Sequence, residues 1–128
     1  MIPSKTLVAS CLVLFSTTLL ATTNKDELTH QGIKIYERAC KTCHAPSVAK
    51  GLGAPAAFDQ SQWHPRLENA KNAVKENPKQ YKKASDYLLY QVKTGKGLMH
   101  HGGLCKELEN IDCSDKAILD AITYMSKE

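Results

Sequence analysis

Residues 40–44 of this chain, Cys-Lys-Thr-Cys-His, constrain its fold more than any other feature. The Cys-x-x-Cys-His spacing is typical of c-type haem attachment, because thiols three residues apart on one helical turn reach the two vinyl groups of a porphyrin. His44 is then placed to ligate the iron. A chain of this kind needs a helix to present the motif and apolar side chains to surround the ring.

Two other kinds of site also use closely spaced cysteines. A thioredoxin-like redox pair expects a βαβ context, and a zinc-bound module needs a fourth ligand beside Cys40, Cys43 and His44. Neither context is evident in the sequence. An apolar leader before the motif and a methionine in a glycine-rich loop after it, Met99, favour the haem interpretation.

The pattern of apolar residues predicts an all-α domain. Residues at helical spacing from Leu28 to Cys43 predict a first helix that carries the motif at its C-terminal end. Gly32 lies inside it and indicates a close helix crossing, since glycine in a helix costs about 1 kcal/mol unless the space is needed. A last helix beginning at Ser114 has a second apolar stripe, formed by Ala117, Ile118, Ala121, Ile122 and Met125.

Prolines and glycines divide the middle of the chain. Residues 46–55 are predicted to be a loop, and residues 58–67 a short helix broken at Pro65. A polar helical stretch follows over residues 67–77, and another helix runs from about residue 80 to 93. Residues 94–103 form a glycine-rich loop, and no stretch has a strand pattern. Only 6% of all residues are aromatic, so a macrocycle would supply apolar mass that the core lacks.

Residues 1–21 are predicted to be a signal peptide, with Lys5 ahead of an apolar run of signal-peptide length. An uncleaved leader that acts as a membrane anchor is the alternative. Residues 22–128 then form one domain, exported to the periplasm. Because an exported protein lies in an oxidising compartment, Cys105 and Cys113 are predicted to form a disulfide.

Further motifs follow one another in a fixed order around the haem motif: Gly32 and Tyr36 before it, then Gly53-Ala54-Pro55, Trp63-x-Pro65-Arg66, Gly95-Lys96-Gly97-x-Met99, Gly102-Gly103-x-Cys105, Cys113-Ser114-Asp115 and Ala121-Ile122-x-Tyr124-Met125. This order resembles a class I bacterial cytochrome c of the cytochrome c5 type. The resemblance implies a small all-α fold wrapped around one covalent haem c, with the first and last helices crossing. It also implies His44 and Met99 as axial ligands, and a hydrogen bond from His44 to the carbonyl of Pro55.

Two features leave alternatives open. His100 and His101 follow Met99 where the family usually has prolines or small residues, so an imidazole is the alternative to the thioether as sixth ligand. Trp63 and Arg66 are candidate donors to the haem propionates, because an indole N–H and a guanidinium suit a fixed carboxylate. The alternative for both is packing and solvation alone.

The predicted ligand set indicates electron transfer. Iron held by His44 and Met99 has no open position, and a thioether raises the reduction potential by favouring ferrous iron. The chain is therefore predicted to be a single-electron carrier without catalytic residues or a small-molecule substrate. The alternative is a small haem enzyme or sensor in which Met99 is displaced and His100 or His101 acts over an open iron face.

Charge restricts the partners. The formal net charge is only +4, with Lys5 included, which is too weak to favour nucleic acid. A local lysine stretch is predicted to orient the protein, as a monomer, toward acidic surfaces on membrane-bound redox complexes; the alternative is a solvated helix face. The stretch consists of Lys71, Lys75, Lys79, Lys82 and Lys83.

Overall fold

The computed structural model describes residues 30–99 and 103–127, and these contain five α-helices and no strand. Helix α1 covers residues 30–44, with a π-helical segment at Tyr36–Cys40 and a last turn at Lys41–His44. The others are α2 (Pro46–Leu52), α3 (Gln60–Glu76), α4 (Ala84–Thr94) and α5 (Asp115–Met125), and a 3-10 turn spans Cys105–Glu107. The all-α prediction is confirmed. The predicted leader, residues 1–21, lies outside the described residues.

The crossing of α1 and α5 forms the centre of the core. Ile35, Tyr36 and Ala39 on α1 are buried, as is every member of the α5 stripe. Gly32 lies at the crossing point, where a Cβ would stand 2.5 Å from the backbone oxygen of Asp120. The close crossing expected from this glycine is confirmed.

The prediction of a loop over residues 46–55 was wrong, because Pro46–Leu52 is helix α2. Pro46 stands at the start of that helix, where its fixed φ fits and its missing N–H removes no bond. Gly53 ends it in the left-handed conformation, with φ of 66°, and its N–H donates to the carbonyl of Lys50. The two residues that we interpreted as helix breakers are the two boundaries of a helix.

The predicted break at Pro65 was also wrong. Helix α3 is 17 residues long, contains Pro65 and ends before Pro78. The carbonyl that loses its partner is that of Ser61, one turn earlier. Ser61 and Pro65 are both exposed, so water can take the place of the missing bond. Asp59 begins the helix by accepting a hydrogen bond from the N–H of Ser61 at 3.0 Å.

Helix α4 begins at Ala84, four residues later than predicted. The carboxylate of Asp86 accepts the N–H groups of Lys82 and Lys83 at 3.0 and 3.1 Å, which fixes the start of the helix. Tyr81 lies in the preceding turn and is buried against Tyr87 and Tyr90, with ring centroids 5.3 and 5.7 Å apart. The turn between α3 and α4 is therefore anchored to α4 by the buried ring of Tyr81.

The segment before α5 is closed by a disulfide between Cys105 and Cys113, whose Cα atoms are 5.8 Å apart. Leu108 and Ile111 lie within this loop and pack against the α1–α5 crossing. The N–H of Leu104 donates to the carbonyl of Ala39 at 3.3 Å. The predicted disulfide is present, and it holds this segment against α1 beside the haem motif.

We expect Gly32→Ala to destabilise the protein by about 1–3 kcal/mol, the usual cost of overpacking, because α5 must move away from the added methyl group. Chemical denaturation measures the free energy of unfolding. Gly51→Ala is the matched control, since a Cβ at this position in α2 meets no atom within 4 Å. The control should be neutral or slightly stabilising; equal losses in both variants would contradict the close crossing.

We expect the double variant Cys105→Ser and Cys113→Ser to lose about 2.5 kcal/mol of stability, the chain-entropy estimate for so short a loop. The free energy of unfolding of the holoprotein measures this loss. Titration of the unfolded, unreduced wild type should find neither thiol free. Two titratable thiols, or unchanged stability in the variant, would show that the bridge is absent in solution.

Candidate functional site

The end of α1 places the two motif cysteines and His44. The π-helical segment ends at Cys40, and the N–H of Lys41 after it bonds to the carbonyl of Tyr36, five residues earlier. Single π turns are frequent at functional sites, where they alter the direction of the residues that follow. The helix stops directly after His44, because Ala45 precedes a proline and adopts the extended conformation with ψ of 140°.

A cavity of about 380 Å³ lies beside this helix end, and its surface is mainly apolar. A second cavity of about 50 Å³, which we call its extension, shares lining residues with the first and is bordered by α1 and α5. The volume is within the range of ligand sites. Every residue predicted to contact the cofactor borders the cavity or its extension: Cys40, Cys43, His44, Pro55, Trp63, Arg66 and Met99.

The imidazole of His44 is oriented by two contacts. Its Nδ1 lies 2.8 Å from the carbonyl oxygen of Pro55. Because a carbonyl only accepts, Nδ1 carries the proton and Nε2 keeps the lone pair that binds a metal. The indole of Trp63 stacks beside the ring, with centroids 6.4 Å apart and planes 26° apart. Burial lowers the pKa of His44 below its usual value; the hydrogen bond to Pro55 opposes this shift, and the charge of Arg66 adds to it, so the net effect favours the neutral ring.

The thiols of Cys40 and Cys43 are not bonded to each other. Burial raises the pKa of Cys40 to about 11, and the neighbouring Cys43 adds to the rise. Reactive redox cysteines need the opposite shift, since the thiolate is the nucleophile. The thioredoxin-like interpretation is therefore disfavoured by the environment of the pair.

The zinc interpretation requires Cys40, Cys43 and His44 to converge with a fourth ligand. Residues 30–99 and 103–127 contain no group of three or more His, Cys, Asp or Glu side chains arranged to hold a metal ion. That interpretation has no support in this part of the chain.

Residues 55–58 form a loop under His44 whose backbone groups are fixed by hydrogen bonds. The N–H of Ala57 donates to the carbonyl of His44, and that of Phe58 donates to the carbonyl of Met125, both at 2.7 Å. The indole N–H of Trp63 donates to the carbonyl of Ala56 at 2.9 Å. The indole N–H of Trp63 thus has a partner inside the protein, and the propionate contact predicted for Trp63 stays a prediction.

Arg66 borders the cavity from α3. Two of its nitrogens donate to backbone carbonyls, Nη1 to Gln62 at 2.7 Å and Nη2 to Gly53 at 3.5 Å. A guanidinium has five N–H donors. The propionate contact predicted for Arg66 stays a prediction, with donors left to make it.

Met99 approaches the cavity from the loop after α4. Its N–H donates to the carbonyl of Lys96 at 3.1 Å, and Gly97 turns the loop with φ of 62°, which favours glycine. Met99 is half-buried and borders both the cavity and its extension. The alternative ligands His100 and His101 lie outside the described residues. Met125 on α5 brings a second methionine to the same walls.

Sequence reasoning missed Gln62, which lies on the first turn of α3. Its Oε1 accepts the N–H of Ala56 at 3.2 Å, directly next to the carbonyl that holds His44. No sequence signal marks it, because the contact depends on the path of residues 55–58 and not on local periodicity.

The site fits a covalently attached haem. Two cysteines and a neutral imidazole with a free Nε2 lie at one wall of an apolar cavity, and a helical shell surrounds it. This combination defines a c-type cytochrome domain. The family model described as cytochrome c oxidase, cbb3-type, subunit III matches residues 27–125, and the chain belongs to this family. The family implies a covalently bound c-type haem, as predicted, and haem-based electron transfer.

No curated protein and no solved structure gives a significant match to the chain. The cytochrome c5 subtype therefore stays a prediction.

Proposed function

We propose that the protein is a periplasmic single-electron carrier in which His44 and Met99 ligate the iron of one haem c. The observation that supports this ligand pair is their placement on the same cavity from two different elements. His44 comes from the end of α1, and Met99 comes from the loop after α4. A six-coordinate haem iron requires two axial ligands, and these two elements can supply them.

Each residue of the site has one task in this function. The haem supplies a one-electron iron couple. Cys40 and Cys43 anchor the ring, and His44 presents Nε2 in an orientation fixed by Pro55 and Trp63. Met99 would fill the iron position that a substrate needs, and its thioether would favour the reduced state.

An enzyme or sensor would need Met99 to leave the iron. We propose that it stays, since its loop is held by the turn from Lys96 and the side chain lies partly buried against the cavity. The test below distinguishes the two functions.

The predicted leader supports the location that we propose, and the family supports the partners. We propose that residues 1–21 direct export, and that the domain works in the periplasm as a monomer, either free or anchored by its leader. The family's name refers to an oxidase subunit. Membrane-bound redox complexes are the donors and acceptors that we propose for this chain.

The lysine stretch supports docking to such complexes. Its five members are exposed; two lie in the second half of α3 and three in the turn before α4. Lys71 pairs with Glu68 at 2.6 Å, and Lys82 donates to the carbonyl of Pro78 at 3.0 Å. Because Tyr81 is buried beneath the turn, the backbone that carries these lysines is anchored to the protein.

We expect the ferric wild-type protein to show the weak near-infrared charge-transfer band of methionine-ligated haem. The band should vanish in Met99→Ala, because the thioether is lost. Met125→Leu is the matched control: this methionine also borders the cavity, and its replacement should leave the band intact. The double variant His100→Ala and His101→Ala should keep it as well.

Absence of the band from the wild type, or its survival in Met99→Ala, would overturn the proposed ligand pair. Rapid binding of carbon monoxide to the ferrous wild type would favour the enzyme or sensor instead.

We expect electron transfer to membranes that contain the redox partner to slow as ionic strength rises from 0.01 to 0.15 M, since the screening length falls from about 30 Å to about 8 Å. Changing Lys75, Lys79 and Lys83 to glutamate should slow the reaction at low salt. A control with equal change in net charge alters three exposed lysines elsewhere: Lys34, Lys116 and Lys127. Equal rates in the two triple variants would show that the lysine stretch is only a solvated face.

A further inference from the structure

The peptide unit between Pro55 and Ala56 is hydrogen-bonded on both sides. Its carbonyl accepts from Nδ1 of His44 at 2.8 Å, and its N–H donates to Oε1 of Gln62 at 3.2 Å. Both groups belong to one amide, so polarisation on one side strengthens the bond on the other. Gln62 therefore acts on the same carbonyl that orients His44.

The chain of hydrogen bonds continues from Gln62 to a charge. Its Nε2 donates to Oδ2 of Asp59 at 2.5 Å, and Oδ1 of Asp59 accepts from both the N–H and the hydroxyl of Ser61. A carboxylate only accepts and a backbone N–H only donates, which fixes the orientation of the Gln62 amide. Every donor from His44 onward thus points toward the carboxylate of Asp59.

The carboxylate is ionised at neutral pH. Hydrogen bonds from Ser61 and Gln62 hold the pKa of Asp59 below its usual range. Ala56 is buried and the His44–Pro55 bond is partly buried, where hydrogen bonds are electrostatically stronger than in water.

We propose that Asp59 and Gln62 tune the haem by increasing the basicity of His44 through the Pro55–Ala56 peptide. This inference rests on the proposed ligation of the iron by His44. The carboxylate of Asp59 polarises the amide of Gln62, which in turn polarises the Pro55–Ala56 peptide. The carbonyl of Pro55 thereby becomes a stronger acceptor for Nδ1–H of His44. Nε2 then becomes a better donor, which stabilises ferric iron and lowers the reduction potential. Each bond in such a chain strengthens by about 10–30%.

A purely structural role for Gln62 is the competing explanation, because a buried N–H needs an acceptor. Loss of a purely structural hydrogen bond would lower the free energy of unfolding and leave the reduction potential unchanged. The reduction potential of the holoprotein, measured by spectroelectrochemical titration, separates the two roles.

We expect Gln62→Leu to raise the potential, so that the ferrous-to-ferric ratio at a fixed solution potential increases severalfold. Gln60→Leu is the matched control. Gln60 lies in the same turn of α3, and its Nε2 donates to the carbonyl of Ser126 at 2.6 Å. This bond is outside the relay, the series of hydrogen bonds that runs from Asp59 through Gln62 and the Pro55–Ala56 peptide to His44. Equal shifts in both variants would overturn the inference, because they would indicate a general loosening of the helix start.

Two further variants keep the test decisive if Gln62→Leu does not fold. Asp59→Asn preserves the helix cap, since asparagine caps as well as aspartate, and it should raise the potential by less than Gln62→Leu. Combining Asp59→Asn with Gln62→Glu moves the carboxylate next to the N–H of Ala56 without changing the net charge. The potential of this double variant should return to that of the wild type or fall below it; a potential that stays at the Asp59→Asn value would contradict the relay.

The Nδ1–H proton of His44 provides a second readout. In the oxidised wild type it should appear as a paramagnetically shifted NMR signal, which reports ligation by His44 independently of the potential. Its exchange with D2O should be faster in Gln62→Leu than in Gln60→Leu. If the signal is absent from the wild type, the ligation proposal fails; if it is present and neither exchange nor potential responds to Gln62, only the relay fails.

Discussion

The hydrogen bond between Nδ1 of His44 and the carbonyl of Pro55 is the contact on which the rest of the site depends. It fixes the tautomer, leaves the lone pair on Nε2 and joins the end of α1 to the loop before α3. The contact needs a short helix of the right length between the two residues, and α2 supplies it. A haem motif on an isolated helix would have neither the orientation nor the fixed protonation state of this imidazole.

The loop from Pro55 to Phe58 is hydrogen-bonded to three of the helices around that contact. Its backbone bonds reach α1 through His44, α3 through Gln62 and Trp63, and α5 through Met125. Phe58 adopts a φ of 67°, an unusual conformation for a bulky residue that costs on the order of 1–3 kcal/mol. The surrounding bonds hold it there, together with edge contacts to the rings of Tyr36 and Tyr124.

Much of this fold could be predicted from residues whose structural role depends on the sequence immediately around them. The apolar stripe of α5 is buried as its spacing predicts, and Gly32 marks the helix crossing. Prolines were harder to interpret, because Pro46 begins a helix and Pro65 lies within one, and only the surrounding chain decides which role applies. Gln62 could not be predicted at all. Its significance arises from a loop path that joins distant parts of the chain, and a glutamine on a polar helix face carries no sign of it.

The π-helical segment of α1 determines how the haem motif is rotated about the helix axis relative to the buried face of the helix. Tyr36 and Ala39 face the crossing with α5, whereas Cys43 and His44 face the cavity. An α-helix advances by about 100° for each residue, so the wide turn determines which way the motif points relative to the buried face. Removing one residue from this turn would restore regular helix geometry and rotate the imidazole out of line with Pro55. Because of this one-residue irregularity in the backbone, a single helix packs one part of its surface in the protein core and presents the haem motif to the cavity.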